Sequence, residues 1–143
     1  MIRFAHYTDE ATPRLVRCFL ATTAGPLHGY SAAARNKALF HRLGKVLLRF
    51  MALDLGYTPG TFAVRNNFAG KAVSGDITLH TDELYVQFSQ SRAGTGSLDM
   101  LYRTCQGRKD CTGGQNHLLP IAALEDYGQT LGRLAALKEE ARR

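Results

Sequence analysis

The 143 residues form a chain long enough for one domain around one hydrophobic core, with no metal or disulfide staple required. Apolar residues at 45% and charged residues at 21% exclude a disordered tail. Eighteen Lys and Arg against twelve Asp and Glu give +6, which argues against an acidic nucleic-acid mimic and favours a phosphate-bearing or acidic partner.

The chain opens with alternation of Ile2, Phe4 and His6 against Arg3, Ala5 and Tyr7, the pattern of a short strand. Thr12-Pro13 suits the start of a first helix, with Leu15, Val16, Phe19 and Leu20 as its apolar face and Gly25-Pro26 as its end. Cys18 lies in that apolar stretch and is expected in the core. A second, longer helix has Ser31 as its N-cap. Its apolar residues Leu39, Leu43, Val46, Leu47 and Phe50 recur at helical spacing to about Leu55, where Gly56 stops it.

Beyond Gly60 the period changes to two. Phe62 and Val64 alternate with Ala63 and Arg65, Ile77 and Leu79 with Thr78 and His80, and Leu84, Val86 and Phe88 with Tyr85, Gln87 and Ser89. Thr81-Asp82-Glu83 is short enough for a hairpin turn. Gln90 to Ser97 reads as a loop, Leu98 to Cys105 as a further strand, and Gly107 to Asn116 as a polar glycine-containing segment. Pro120 precedes a last helix carrying Leu124, Leu131, Leu134 and Leu137. The expected class is α+β: an antiparallel sheet of four to five strands, helices packed on one face, in the order β-α-α-β-β-β-β-α across a single domain of residues 1–143.

No run approaches the ~20 apolar residues of a membrane span, and the first residues do not read as a secretory signal. Cys18, Cys105 and Cys111 are odd in number and irregular in spacing, so they read as reduced thiols of a cytoplasmic protein.

The charge is unevenly placed. From Ala11 through Gly75 nine bases face one acid, a local +8, and the remaining residues carry nine bases and eleven acids, or −2. On the long helix Arg35, Arg42, Lys45 and Arg49 fall within an arc of about 80° and run along ~20 Å of axis. A solvated helix face usually mixes signs, with Glu four residues before Lys. Here Glu is absent from Ala11 to Asp82, so the stripe is a candidate contact for phosphates or an acidic surface. His41 lies beside it and reads as a neutral surface residue.

The second candidate contact is the segment of Arg108, Lys109 and His117, where three glycines allow backbone N–H groups to face an anion. Its spacing excludes a Walker loop. Cys105, Cys111 and His117 stand six apart, unlike zinc-ligand pairs, and His80 would have to complete the set; no metal and no cofactor is expected. Cys111 beside His117, with Asp110 or Asp76, lacks the surroundings of an activated nucleophile and reads as a turn residue. Tyr85, Gln87 and Ser89 share one strand face, and Tyr102 lies on a later strand; either tyrosine could stack on a base, but packing is the commoner use.

The run Ala72-Val73-Ser74-Gly75-Asp76-Ile77-Thr78-Leu79-His80-Thr81-Asp82, continued by Leu84-Tyr85-Val86-Gln87, resembles a hairpin in small accessory proteins of bacterial plasmids, integrative conjugative elements and prophages. Gly107-Arg108-Lys109-Asp110 with Thr112-Gly113-Gly114-Gln115-Asn116-His117 resembles their second signature, departing at Cys111, where an aromatic is expected. The resemblance spans residues 62 to 120 and implies mobile-element cargo without an assigned reaction. The expected function is a non-enzymatic protein that binds a host-defence nucleoprotein complex, RNA or an acidic protein through the basic helix, similar in kind to anti-CRISPR inhibitors. Two alternatives stand beside it. One is a plain single-stranded nucleic-acid binder. The other is a small ribonuclease resembling RelE-like toxins, with Arg65, Lys71, Arg103, Arg108 and His117 as its candidate residues.

Overall fold

A computed structural model of the chain describes residues 11–27, 32–70, 73–90, 98–107 and 113–142. The strand expected at Ile2–Tyr7, the loop over 91–97 and the basic residues Lys71, Arg108 and Lys109 lie outside the described residues.

Helix α1 (Ala11–Thr23) and helix α2 (Ala32–Asp54) come first, followed by β1 (Ala63–Asn67), β2 (Asp76–His80), β3 (Leu84–Gln90), β4 (Leu98–Thr104) and β5 (His117–Pro120). A 3-10 turn (Ile121–Glu125) then leads into α3 (Tyr127–Ala141). The strands pair antiparallel with their sequence neighbours, giving a five-stranded meander in the order β1-β2-β3-β4-β5. The α+β class, the positions of β1 to β4 and the antiparallel sheet agree with the periodicity, whereas β5 is a fifth strand after the helices where four were expected. No described helix is long and apolar enough to cross a membrane.

One sheet face carries Ile77 and Leu79 of β2, Leu84, Val86 and Phe88 of β3, and Leu98, Met100 and Tyr102 of β4. These pack against Phe19 of α1, Phe40, Leu47, Leu48 and Met51 of α2, and Leu131 and Leu134 of α3. Phe19 sits at the junction of the layers, its ring 5.4 Å from Phe40 and 5.0 Å from Phe88.

The buried face of α2 is turned by about one residue from the expected one. Phe40, Leu47, Leu48 and Met51 are fully buried, whereas Leu39, Leu43, Val46 and Phe50 are only partly so. Gly44 explains the turn: a Cβ there would collide with the end of Ile77 and crowd Phe19, so α2 crosses β2 where its backbone is bare. Cys18 is exposed rather than buried, because it lies well around the α1 surface from Val16 and Phe19, which face the core.

The end of α2 is a Schellman motif. Gly56 has φ +92°, its N–H donates to Leu53 O at 3.0 Å, and the Tyr57 N–H donates to Ala52 O at 3.0 Å. Lys138 of α3 donates to Leu55 O at 2.7 Å, placing a cation at the negative helix end. Tyr127 donates to the buried carboxylate of Asp54 at 2.7 Å. Burial first, then Asp54, pushes the Tyr127 phenol far above its ordinary value, so it stays a donor.

The last helix starts later than Pro120. Residues 117–120 form an edge strand ending on Pro120, where a missing N–H is tolerated. Asp126 then caps α3, its side chain accepting from the Gln129 N–H at 3.1 Å.

Candidate functional site

Antiparallel pairing of β1 with β2 makes β1 an edge strand. Its residues Val64 and Asn66 face the same side as the paired Leu79 and Ile77, toward α2. The parity continues to Phe68, just beyond the strand. Between this edge and α2 lies a groove of about 260 Å³ lined by Ala38, His41, Arg42, Lys45, Val46, Arg49, Asn66 and Phe68.

The groove floor is rigid. His41 is buried, donates from Nε2 to Ser74 O at 2.8 Å, and accepts at Nδ1 from the Asn66 amide at 3.2 Å. Both ring nitrogens are thereby occupied by one neutral tautomer. Burial pushes the imidazole below its ordinary value; Lys37 and Lys45 act in the same direction, against the Ser74 carbonyl and Asp76. His41 is therefore a neutral, buried tie between α2, β1 and the β1–β2 connection. Its expected surface position is corrected: it lies one residue from fully buried Phe40, on the side of α2 that meets β1.

Phe68 lies against the His41 ring at 4.2 Å between centroids, yet stays 49% exposed. Its backbone is held on both sides. The Asn67 side chain accepts from the Ala69 N–H at 2.9 Å, Ala69 sits at φ +53°, and buried Lys37 donates to Gly70 O at 3.0 Å. A left-handed alanine costs about 1 kcal/mol or more, so the surrounding contacts impose this turn. Gly75, at φ +73°, is required as well, since a Cβ would strike the Asn67 and Phe68 carbonyls and press on His41.

The rim is basic. Arg42 and Arg49 are exposed and Lys45 is half-buried. Among the described residues no carboxylate pairs with Arg35, Arg42, Lys45 or Arg49. Arg35 is exposed on the same flank of α2, outside the groove lining.

The other candidate residues lie elsewhere. His117 is on β5, four strand intervals from β1 or about 19 Å, with its ring stacked on buried Tyr102 at 5.1 Å. Of the glycines after residue 112, Gly113 and Gly114 serve close packing: a Cβ on Gly113 would meet Arg103 and Thr104, and one on Gly114 would meet Thr104. The Gly114 N–H donates to Thr104 O at 3.0 Å. The helix stripe and His117 thus stand at opposite sheet edges rather than on one surface.

Of the ribonuclease candidates, Arg65 is exposed on edge strand β1, and Arg103 is buried on β4. Arg103 lies 4.4 Å above the Tyr85 ring, which also meets the His80 ring edge-on at 5.3 Å, and Gln87 accepts from the Tyr85 hydroxyl at 2.6 Å. His117 pairs with Tyr102 and so projects from the face opposite Arg103. These three do not converge. Tyr85 is a packed strand residue, the commoner use of a tyrosine on a sheet. Cys105 is buried against the β2–β3 turn, 3.2 Å from Thr81 O, and among the described residues no three potential ligands gather into a metal site.

Sequence reasoning missed Lys37, Asn66 and Phe68. The signal for Phe68 was present: an aromatic within Asn66-Asn67-Phe68-Ala69-Gly70 has turn residues on both sides and no apolar period to belong to. No family model, characterised protein or solved structure matches the chain.

Proposed function

We propose that this is a non-enzymatic binding protein that engages a nucleoprotein partner through the α2–β1 groove, its contact falling on the nucleic-acid component. The observation that carries this reading is the trio Arg42, Lys45 and Arg49 on one groove rim, without carboxylate partners among the described residues. Unpaired cations one turn apart retain their full attraction for phosphates, and counterion release supplies the affinity. The resemblance to mobile-element cargo at residues 72–87 and 107–117 supports a host-defence ribonucleoprotein as that partner.

The test is affinity purification of the tagged chain from a bacterial host carrying defence systems, with RNA measured in the eluate. RNA should be recovered with the wild-type chain and lost with the Arg42→Glu/Lys45→Glu/Arg49→Glu variant, whose circular dichroism should be unchanged. Equal recovery from both proteins would overturn the reading.

A further inference from the structure

The rim cations account for phosphate but leave Phe68 unexplained. A half-exposed phenyl on an imposed turn contributes little to the core: its ring lies 4.2 Å from the His41 ring at a tilt of 33°, lines the groove and stays 49% exposed, which leaves aromatic surface open to a ligand. We propose that the α2–β1 groove holds a single-stranded segment of nucleic acid, with one unpaired base stacked on Phe68 and its flanking phosphates on Arg42, Lys45 and Arg49. This rests on the proposed function and names the ligand class of the same site.

The size of the groove and the aromatic ring on it favour a single strand over a duplex or an acidic peptide. The volume of about 260 Å³ lies below the ~300–1,000 Å³ of pockets that enclose drug-sized ligands, so it suits one ring system opening onto a surface. Only an unpaired, unstacked base can offer its π-face to a side chain, since a duplex base is covered on both faces. A run of acidic side chains would satisfy the cations but leave the phenyl face uncovered.

The ring needs no rearrangement before binding. His41 supports it from below, and the Lys37–Gly70 and Asn67–Ala69 hydrogen bonds fix the backbone on either side. That order is present before a ligand arrives, which reduces the entropy lost on binding.

The chain contains no tryptophan, so Phe68→Trp places the one indole at the proposed stacking position, where it can be excited selectively over the six tyrosines. Titration with a ten-nucleotide single-stranded RNA should quench its emission, whereas inorganic polyphosphate, which has charge and no bases, should leave emission unchanged. In fluorescence anisotropy with the labelled RNA, Phe68→Ala should weaken binding by ~5- to 150-fold, the range for loss of one base–aromatic stack. A duplex of the same sequence should bind more weakly than the single strand.

If Phe68→Ala leaves affinity unchanged while the triple charge reversal abolishes it, the stacking inference fails and the phosphate-binding reading stands. Equal quenching by RNA and polyphosphate would likewise overturn the stacking inference alone. Stronger binding of a poly-glutamate peptide than of RNA would overturn both.

Discussion

Gly44 and Gly75 set the position of α2 relative to the sheet, one through contact and the other through conformation. At Gly44, Phe19 and Ile77 occupy the space a side chain would need, so Gly44→Val should lower the urea unfolding free energy by about 1–3 kcal/mol through overpacking. A midpoint at or above the wild-type value would show that the crossing is looser than described. His41 gives a pH signature of its own. Its folded value is depressed, so between that value and the ordinary 6.5 the unfolded chain binds more protons than the folded one. Its contribution is therefore whole above about pH 6.5 and declines as pH falls toward the folded value. Lys37, Lys45 and Asp76 face it, so the charge balance around the ring tunes how far the decline reaches. In an NMR titration the His41 ring protons should shift below pH 6.5; a midpoint at or above 6.5 would contradict the neutral, doubly bonded imidazole.

Among the elements, the closure between α2, the β2–β3 turn and α3 depends on Glu83. Its carboxylate accepts from the Tyr57 hydroxyl and from Arg142 Nε, the latter at 2.9 Å, while Lys138 lies 4.3 Å above the Tyr57 ring. Burial alone would raise the Glu83 carboxyl, but Tyr57 and Arg142 together hold it below its ordinary value. A depressed carboxyl contributes stability above the unfolded value of ~4.3 and loses it as pH falls through the folded one. Glu83→Gln should thus cost about 1 kcal/mol at pH 7, with the difference narrowing on acidification below pH 4. A pH-independent difference would assign the effect to packing instead. Much of this level is legible in the sequence. Gly56 ends α2 where expected, and β2 and β3 follow their alternation on either side of the Thr81-Asp82-Glu83 turn. What escapes is short or depends on distant contacts. Strand β5 has four residues and ends on proline, too little for a period of two. The start of α3 is masked by Pro120, although Asp126 and Gln129 have the spacing of a capping pair. The turn of the α2 face follows from Gly44 meeting Ile77, a contact 33 residues apart that helical periodicity does not encode.

Across the whole molecule, three of the nine bases behind the front-half surplus of +8 form one rim of one groove, at the β1 edge of the sheet. The cations are legible because no glutamate interrupts them; Phe68 and Asn66 are not, because only β1–β2 pairing brings them beside α2. The slightly acidic remainder places His117 at the far edge, so binding should depend on α2 and be indifferent to His117→Ala. Each phosphate contact on a single strand contributes about −0.7 to the slope of log K against log salt concentration. Three rim cations then give a slope of about −2. The decisive measurement is the affinity of a ten-nucleotide single-stranded RNA as a function of salt, for the wild-type chain and for Arg42→Glu/Lys45→Glu/Arg49→Glu. The wild-type slope should be near −2 or steeper, on the order expected for three phosphates, and the variant should lose both the slope and the affinity. Parallel slopes of equal magnitude would show that the nucleic acid is held somewhere other than this groove.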